Sequence, residues 1–300
     1  MEKQSPAENF SRGRRFGAPR LLIVGCGDVG LRIVARLRHR FRIVAMTSTP
    51  ARRDELRHAG TTPIVADLDE RRALARVAPF AGRMIHLAPP PNRGRRDPRT
   101  RHLVAAARGR LQRFVYISTT GVYGDRAGAW TDETAPLAPQ NERAMRRVDA
   151  EHAVRAVGAC VLRVPGIYAQ DRLPIERLRA GTPALAEVDD VFTNHIHADD
   201  LARIAIAALF RGRASRVYNA VDDSELKMGE YFDLVADRFG LPRAARLPRE
   251  QLKTAVSPMM YSFMNESRRL RNRRIKRELK LRLRWPTVAT ALAASDASAR

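Results

Sequence analysis

Three glycines at fixed spacing, Gly25-x-Gly27-x-x-Gly30, are the first residues of this chain whose arrangement implies chemistry. An apolar run, Leu21 to Val24, leads into them, and Leu31, Val34 and Leu37 recur behind them at helical spacing. In that strand-loop-helix context each glycine has a separate task. Gly25 permits the tight turn out of the strand, Gly27 lets backbone approach a pyrophosphate, and Gly30 lets the helix pack closely on the strand. The helix start at Asp28 and Val29 would offer free N–H groups to phosphate oxygens, where the helix dipole favours negative charge.

Downstream residues carry the same reading further. About twenty residues after such a glycine loop, an acid is expected to hold the adenosine ribose hydroxyls. Here the sequence runs Thr47-Ser-Thr-Pro-Ala-Arg52-Arg53 instead. Hydroxyls and two arginines replace the acid, and Arg52 or Arg53 can pair with a 2′-phosphate. That favours NADP over NAD, against the plainer reading of two solvated arginines at a helix start. Asp67 stands where a side chain could accept from an adenine amine, and Leu68 where its backbone could do so. Leu87, Ala88 and Pro89 end a fourth strand and should line the cofactor cleft, because ligands bind outside the carboxyl ends of parallel strands. A fifth strand ends in the hydroxyls Ser118, Thr119 and Thr120, with Tyr123 close behind. His86 reads as a packed strand residue. His195 and His197 alternate on one strand face but lack a third ligand, so no metal site is expected.

These residues need a scaffold, and strand and helix patterns alternate along the chain. Arg42–Met46, Thr62–Leu68, Arg83–Leu87 and the run from Phe114 read as strands, with helices over about Glu70–Val77, Arg101–Gly109 and Asn141–Glu151. Asn92–Thr100 reads as a basic loop. The pattern predicts an α/β fold with a doubly wound parallel sheet. Residues 1–19 are polar and basic and read as a flexible tail without the apolar segment of a secretory signal. No apolar stretch is long enough for a bilayer, and the two cysteines, Cys26 and Cys160, lack ligand spacing and suggest a reducing, cytoplasmic setting. The formal charge is +23, from 55 basic and 32 acidic residues. Only five of the basic residues are lysine and 50 are arginine, dispersed through the helices without interleaved aromatics. That pattern argues against a nucleic-acid partner without excluding one, since charge alone drives only non-specific association.

With the run Ser118-Thr-Thr-Gly-Val-Tyr-Gly124 the chain resembles the extended short-chain dehydrogenase/reductases, the NAD-dependent epimerase/dehydratase family. The resemblance continues through Val161-Leu-Arg-Val-Pro-Gly-Ile-Tyr168, Asn194-His-Ile-His-Ala-Asp-Asp-Leu201 and Val217-Tyr-Asn-Ala-Val221. Gly128-Ala-Trp-Thr-Asp-Glu133 and the stretch Ser267 to Leu292 most resemble a small atypical branch, the YeeZ-like proteins. The resemblance implies a Rossmann domain over 20–168, with 190–222 returning to it. A small substrate domain would follow from 169–189 and 223–290, then a tail over 291–300.

The resemblance also locates the chemistry. Typical members carry Tyr-x-x-x-Lys on the helix after the fifth strand, the tyrosine exchanging a proton and the lysine holding the nicotinamide ribose. Counting back from Glu151 puts Arg147 at the lysine position and Arg143 at the tyrosine position, on one helical face. A guanidinium keeps its proton, so Arg143 cannot act as a phenol does. Thr119 matches the family's catalytic hydroxyl and would orient a substrate carbonyl, while Arg147 would contact the ribose. Three substitutes for the missing acid stand open. Tyr123 could turn toward substrate, or Asp125, Asp132 or Glu133 could supply a carboxyl. Alternatively, Arg143 and Arg147 form an anion site, with water completing proton transfer. The expectation is an NADP- or NAD-dependent oxidoreductase or epimerase-like enzyme for a small, anionic carbonyl or sugar-type substrate. The alternative is a catalytically degenerate NADP(H) sensor. A homodimer is expected by analogy, and the ten Arg and Lys between Ser267 and Arg284 form a basic cluster or a solvated face.

Overall fold

Alternation inside the first apolar run decides which side of the sheet each residue serves. In β1 (Arg20–Val24), Leu21 and Ile23 face one hydrophobic cluster while Leu22 and Val24 face another, all four fully buried. A strand buried on both faces is the signature of a sheet covered by helices on both sides. The computed structural model describes residues 17–294.

The chain continues through α1 (Asp28–Leu37), β2 (Arg42–Thr47), α2 (Arg53–His58), β3 (Thr62–Val65), α3 (Arg71–Val77), β4 (Arg83–His86), α4 (Pro98–Ala107), β5 (Arg113–Thr119), β6 (Trp130–Thr131), α5 (Glu142–Arg155) and β7 (Cys160–Val164). Then follow β8 (Gly166–Tyr168), α6 (Ile175–Arg179), β9 (Ala184–Leu185), β10 (His195–His197), α7 (Ala198–Arg211) and β11 (Val217–Asn219). The last elements are α8 (Met228–Arg238), β12 (Arg246–Leu247), α9 (Arg249–Ala255), α10 (Pro258–Met264), β13 (Arg269–Leu270), α11 (Arg273–Glu278) and α12 (Val288–Ala294).

Seven strands form the central sheet in the order β3-β2-β1-β4-β5-β7-β11, every pair parallel. This is the Rossmann-like, doubly wound architecture expected from the alternating pattern. Helices α1 and α7 cover one face through Ile33, Val34, Leu201 and Ile204. Helices α3, α4 and α5 cover the other through Leu74, Val77, Leu103 and Val154. Burying an aliphatic side chain of this kind stabilises the fold by about 1.5–3 kcal/mol. The order reverses at β1 and β4, and this switch point is where open parallel sheets bind ligands.

A separate hydrophobic cluster gathers Tyr168, Leu178, Leu185, Phe232, Val235, Leu252 and Val288 from the segments that leave the sheet. Several boundaries differ from the sequence reading. Pro98 opens α4 inside the expected loop 92–100, because the Asp97 side chain accepts from Thr100 N–H at 3.0 Å and caps the helix. Helix α5 runs on to Arg155 because Val154 is fully buried. Residues 291–294 belong to α12, with Leu292 buried, so they are not tail. Most of the expected N-terminal tail, 1–16, and residues 295–300 lie outside the described residues.

Candidate functional site

The glycine loop sits at the switch point. Gly25 has φ of +80°, and a Cβ there would stand 2.6 Å from the Ala88 backbone nitrogen. Only glycine permits both the turn and that approach. Gly30 packs against Cys26 and Leu87, so a Cβ there would meet the Cys26 sulfur at 2.9 Å. Gly27 behaves differently, with no atom within 4 Å of a Cβ position. It opens α1 with no side chain capping it, leaving the dipole end of the helix to an anion. The three glycines therefore fit a dinucleotide pyrophosphate. Leu87 and Ala88 both donate backbone N–H to the Val24 carbonyl, at 2.8 and 3.1 Å. This carries the end of β4, with exposed Pro89 next, alongside the glycine loop.

At the end of β2, the buried Thr47 accepts from Thr49 N–H through Oγ1. Arg52 donates to the Cys26 carbonyl at 2.7 Å and grips Glu55 with two 2.8 Å bonds. Arg53 is exposed and forms no ion pair among the described residues. Asp67 is exposed and accepts from Asp69 N–H, whereas Leu68 is buried. Asp28, at the helix start, bonds Arg32 at 2.8 Å and Arg172 at 3.1 Å. Arg172 comes from the segment after β8, so this contact ties that segment to the glycine helix.

A cavity of about 520 Å³ begins at Thr119, Thr120 and Gly121 and extends past Gly166, Tyr168 and His195 to Tyr231 and Phe263. Thr119 is half-buried at the last position of β5, its Oγ1 accepting from Gly121 N–H at 3.3 Å. Asn141 caps α5 by accepting from Ala144 N–H and stands on the cavity wall. Arg143, the second residue of that helix, lies over the Phe263 ring at 4.2 Å. Its pKa is held below the usual value by partial burial and by the neighbouring arginines 147, 146 and 268, with Glu266 opposing; it remains a cation.

Arg147 points elsewhere. Its Nη1 donates to the Tyr116 hydroxyl at 2.9 Å and to the Ile117 carbonyl at 2.8 Å, and it is not part of the cavity wall. The structure thus separates the two arginines that the sequence placed on one helix face: Arg143 reaches the cavity and Arg147 is tethered to β5. Tyr123 is not brought to the cavity either. It is fully buried, donates to Asn219 Oδ1 at 2.7 Å and lies under the Arg163 guanidinium, and burial pushes its pKa up to about 12.

Nor do the three candidate carboxylates reach the cavity. Asp125 holds the backbone of Ala127 and Ser267, and Asp132 forms a turn with Thr134. Glu133 is buried, accepts from Asn219 N–H and sits 3.5 Å from Arg274, its pKa raised by burial. Two other acids line the cavity: exposed Glu176, paired with Arg179 at 2.7 Å, and Glu266, 7% exposed and bonded to Arg268 at 2.6 Å. Sequence reading missed Glu266 because its neighbours form a basic run. Arg177 was missed for the same reason. Of the arginines on the cavity wall, Arg172 and Arg268 are paired with acids. Arg143 and Arg177 form no ion pair among the described residues.

The two histidines do share a side, both meeting the Tyr168 ring edge-on. His195 is buried against Tyr231, and burial holds its pKa down near 3. His197 uses Nδ1 to accept from Asp199 N–H and so caps α7. His86 is fully buried against Thr100, likewise held down to about 3 by burial. Among the described residues no cluster of three or more His, Cys, Asp or Glu could hold a metal ion. No helix there is long and apolar enough to cross a membrane.

Comparison with known proteins agrees with this fold. A protein of unknown function from Silicibacter pomeroyi superposes with a TM-score of 0.79 at 30% identity, covering 93% of this chain and 99% of that one. The dTDP-glucose 4,6-dehydratase of Streptomyces venezuelae, solved with NAD bound, superposes with a TM-score of 0.75 at 20% identity over 91% and 94% of the two chains. That second likeness establishes the fold alone. In sequence, a dTDP-glucose 4,6-dehydratase from Streptomyces niveus is 30% identical over 139 residues, and the match spans 41% of each protein. A family model described as NAD(P)H-binding matches residues 25–211. With its glycine loop at the switch point of a Rossmann-like sheet, this chain belongs to the NAD(P)H-binding family.

Proposed function

We propose that the chain is an NADP(H)-preferring oxidoreductase or epimerase-like enzyme of the extended short-chain dehydrogenase type, acting on a small anionic carbonyl or sugar-type substrate. One observation carries the reading. Two guanidiniums without carboxylate partners, Arg143 and Arg177, stand on the wall of the cavity that begins at Thr119. Both are solvent-exposed and keep their charge, so they stand ready to pair with an arriving carboxylate or phosphate.

Gly25, Gly27 and Gly30, with the backbone of Asp28 and Val29, would hold the pyrophosphate. Arg53, the free member of its pair, would take the 2′-phosphate, while Arg52 braces the glycine loop through Cys26. Thr47, Asp67, Leu68, Leu87, Ala88 and Pro89 would border the adenosine and nicotinamide halves. When bound, the cofactor would supply or accept a hydride. Thr119 orients the substrate carbonyl by donating its hydroxyl proton as a hydrogen bond. Arg143 binds the substrate anion and moves no proton. Arg147 fixes the end of β5 and borders the ribose, and water in the cavity completes proton transfer.

This division of labour supports a nucleotide-binding domain over 20–168 with 190–222, and a substrate domain over 169–189 and 223–290. It also fits the YeeZ-like branch, which lacks the Tyr-x-x-x-Lys pair, with Arg143 and Arg147 at those positions here. Cys26 and Cys160 are both unpaired, in keeping with a reducing, cytoplasmic setting.

Fluorescence titration with NADPH and NADH tests the first claim, with tighter NADPH binding expected; binding of neither removes the proposal. Hydride exchange from NADPH to a panel of carboxylated and phosphorylated carbonyl compounds then tests turnover. Cofactor binding without exchange on any member would make the chain a cofactor sensor instead.

A further inference from the structure

Helix α7 is apolar on two sides, one fully buried against the sheet and the other only partly covered. Leu201, Ile204 and Ala208 are buried against the sheet. Ile206, Ala207 and Phe210 form a second stripe at i, i+1 and i+4, turned outward, where a surface helix normally carries polar residues. Phe210 is 45% exposed, one of few large apolar side chains at the surface. Its ring lies 5.7 Å from Phe41, tilted by 40°, on the turn after α1. Together with Leu37 and Leu281 these side chains floor a groove of about 930 Å³ between α1, α7 and the segment 280–284. The groove exposes the edge of the core cluster, to which Leu37, Phe41 and Leu281 belong, and shares no lining residue with the cavity at Thr119.

The rim has one sign. Every ionisable side chain on the groove wall is basic. Arg36 and Arg203 are already matched, to Asp199 at 2.9 Å and Asp200 at 2.5 Å, and Arg211 bonds the Leu279 carbonyl. Arg40, Lys280 and Arg282 form no ion pair among the described residues. A continuous apolar floor between helices, fenced by free cations, is complementary to one kind of ligand. An amphipathic helix with acidic flanks buries its apolar face and pairs its carboxylates with the rim.

We propose that this groove is a docking site for an acidic amphipathic helix of a partner protein. A second copy of this chain would bring the same basic rim and be repelled. Residues 1–16 carry Lys3, Arg12, Arg14 and Arg15 against Glu2 and Glu8, so that segment has the wrong sign as well. A nucleic acid would satisfy the cations but lay a charged backbone over the apolar floor, which costs desolvation without a return.

The probe is a small set of fluorescein-labelled acidic peptides about five helical turns long. Their Leu and Phe anchors are spaced i, i+3, i+4, i+7 in different registers, and matched peptides carry Lys in place of Glu. Anisotropy is measured at near-physiological salt. At least one acidic peptide binds and no Lys peptide does. Affinity falls about tenfold in Phe210→Ala, which keeps the charge, and about tenfold in Arg40→Glu/Arg282→Glu. It changes less than about twofold in Arg108→Glu/Arg110→Glu, an equal charge change on the opposite side of the sheet. Should Phe210→Ala loosen the Phe41 contact and lower Tm, the exposed arginine pair still decides the matter. Failure of every acidic peptide, or equal losses in the groove and control variants, overturns the proposal. A short DNA duplex that binds with the same dependence on Arg40 and Arg282 overturns it in favour of nucleic acid.

Discussion

The Arg143 guanidinium lies 4.2 Å above the centre of the Phe263 ring, joining α5 of the nucleotide-binding region to α10 of the segment that closes the cavity. Both residues line that cavity. A cation held by an aromatic face keeps its charge available to a ligand, unlike one neutralised by a carboxylate. The contact thus keeps a positive charge, without a carboxylate partner, on the cavity wall.

Arg143→Ala is expected to lower kcat/KM about 10–100-fold for any anionic carbonyl substrate found by hydride exchange. NADPH affinity should stay within about twofold. Arg143→Lys restores part of the loss, since the charge returns without the planar fork. Steady-state kinetics alongside an NADPH titration checks both. Unchanged turnover in Arg143→Ala removes the anion role.

Arg53→Ala is expected to weaken NADPH about tenfold and leave NADH unchanged, because only the former carries a 2′-phosphate. Arg52→Ala should weaken both cofactors, since Arg52 bonds the Cys26 carbonyl within the glycine loop. Parallel titrations with the two cofactors measure the ratio. A ratio unaltered by Arg53→Ala assigns that arginine to solvent.

Behind the site, Glu151 and Arg163 form a pair buried to 1% and 3% side-chain exposure, 2.8 Å apart, with Ser118 donating to the same carboxylate at 2.6 Å. Glu151→Gln leaves a buried guanidinium without its counter-charge, so unfolding free energy should drop by about 3–5 kcal/mol. Urea denaturation measures it. A loss below about 1 kcal/mol would mean that water reaches Arg163 in the folded state.

Burial raises the Asp222 carboxyl to about 7, opposed by hydrogen bonds from Ser224. A carboxyl that is harder to ionise in the folded chain than in the unfolded one stabilises when protonated. That contribution is complete below about pH 4, the unfolded carboxyl range, and is lost as pH rises through about 7. His86 and His195, both held near 3 by burial, act in the opposite sense and destabilise as pH falls below about 6.5. The Asp222 effect is therefore read as a difference. Relative to Asp222→Asn, the wild-type chain should lose stability steadily between pH 4 and pH 7 in thermal melts. A constant difference would mean that Asp222 ionises at its ordinary pH.

The sequence by itself determined the sheet, the glycine loop and the NAD(P)H-binding family. Those depend on local rules: alternation in Leu21–Val24, glycine where φ is positive or backbone approaches closely, and the order of strand and helix. It also placed Thr119 at a strand end and Asn141 at a helix start, because strand termini and caps have residue signatures. Only the tertiary structure decided what the ionisable residues do. In a chain with 50 arginines among 55 basic residues, spacing cannot say which guanidinium finds an acid. Arg143 and Arg147 stand one turn apart, yet β5 takes Arg147 while the cavity keeps Arg143. Tyr123 follows a promising hydroxyl run, yet Asn219, far along the chain, claims its OH. Glu266 joins the site from a basic stretch with no motif of its own. Such pairings are set by long-range packing, and a charge is free or neutralised only after the chain has folded around it.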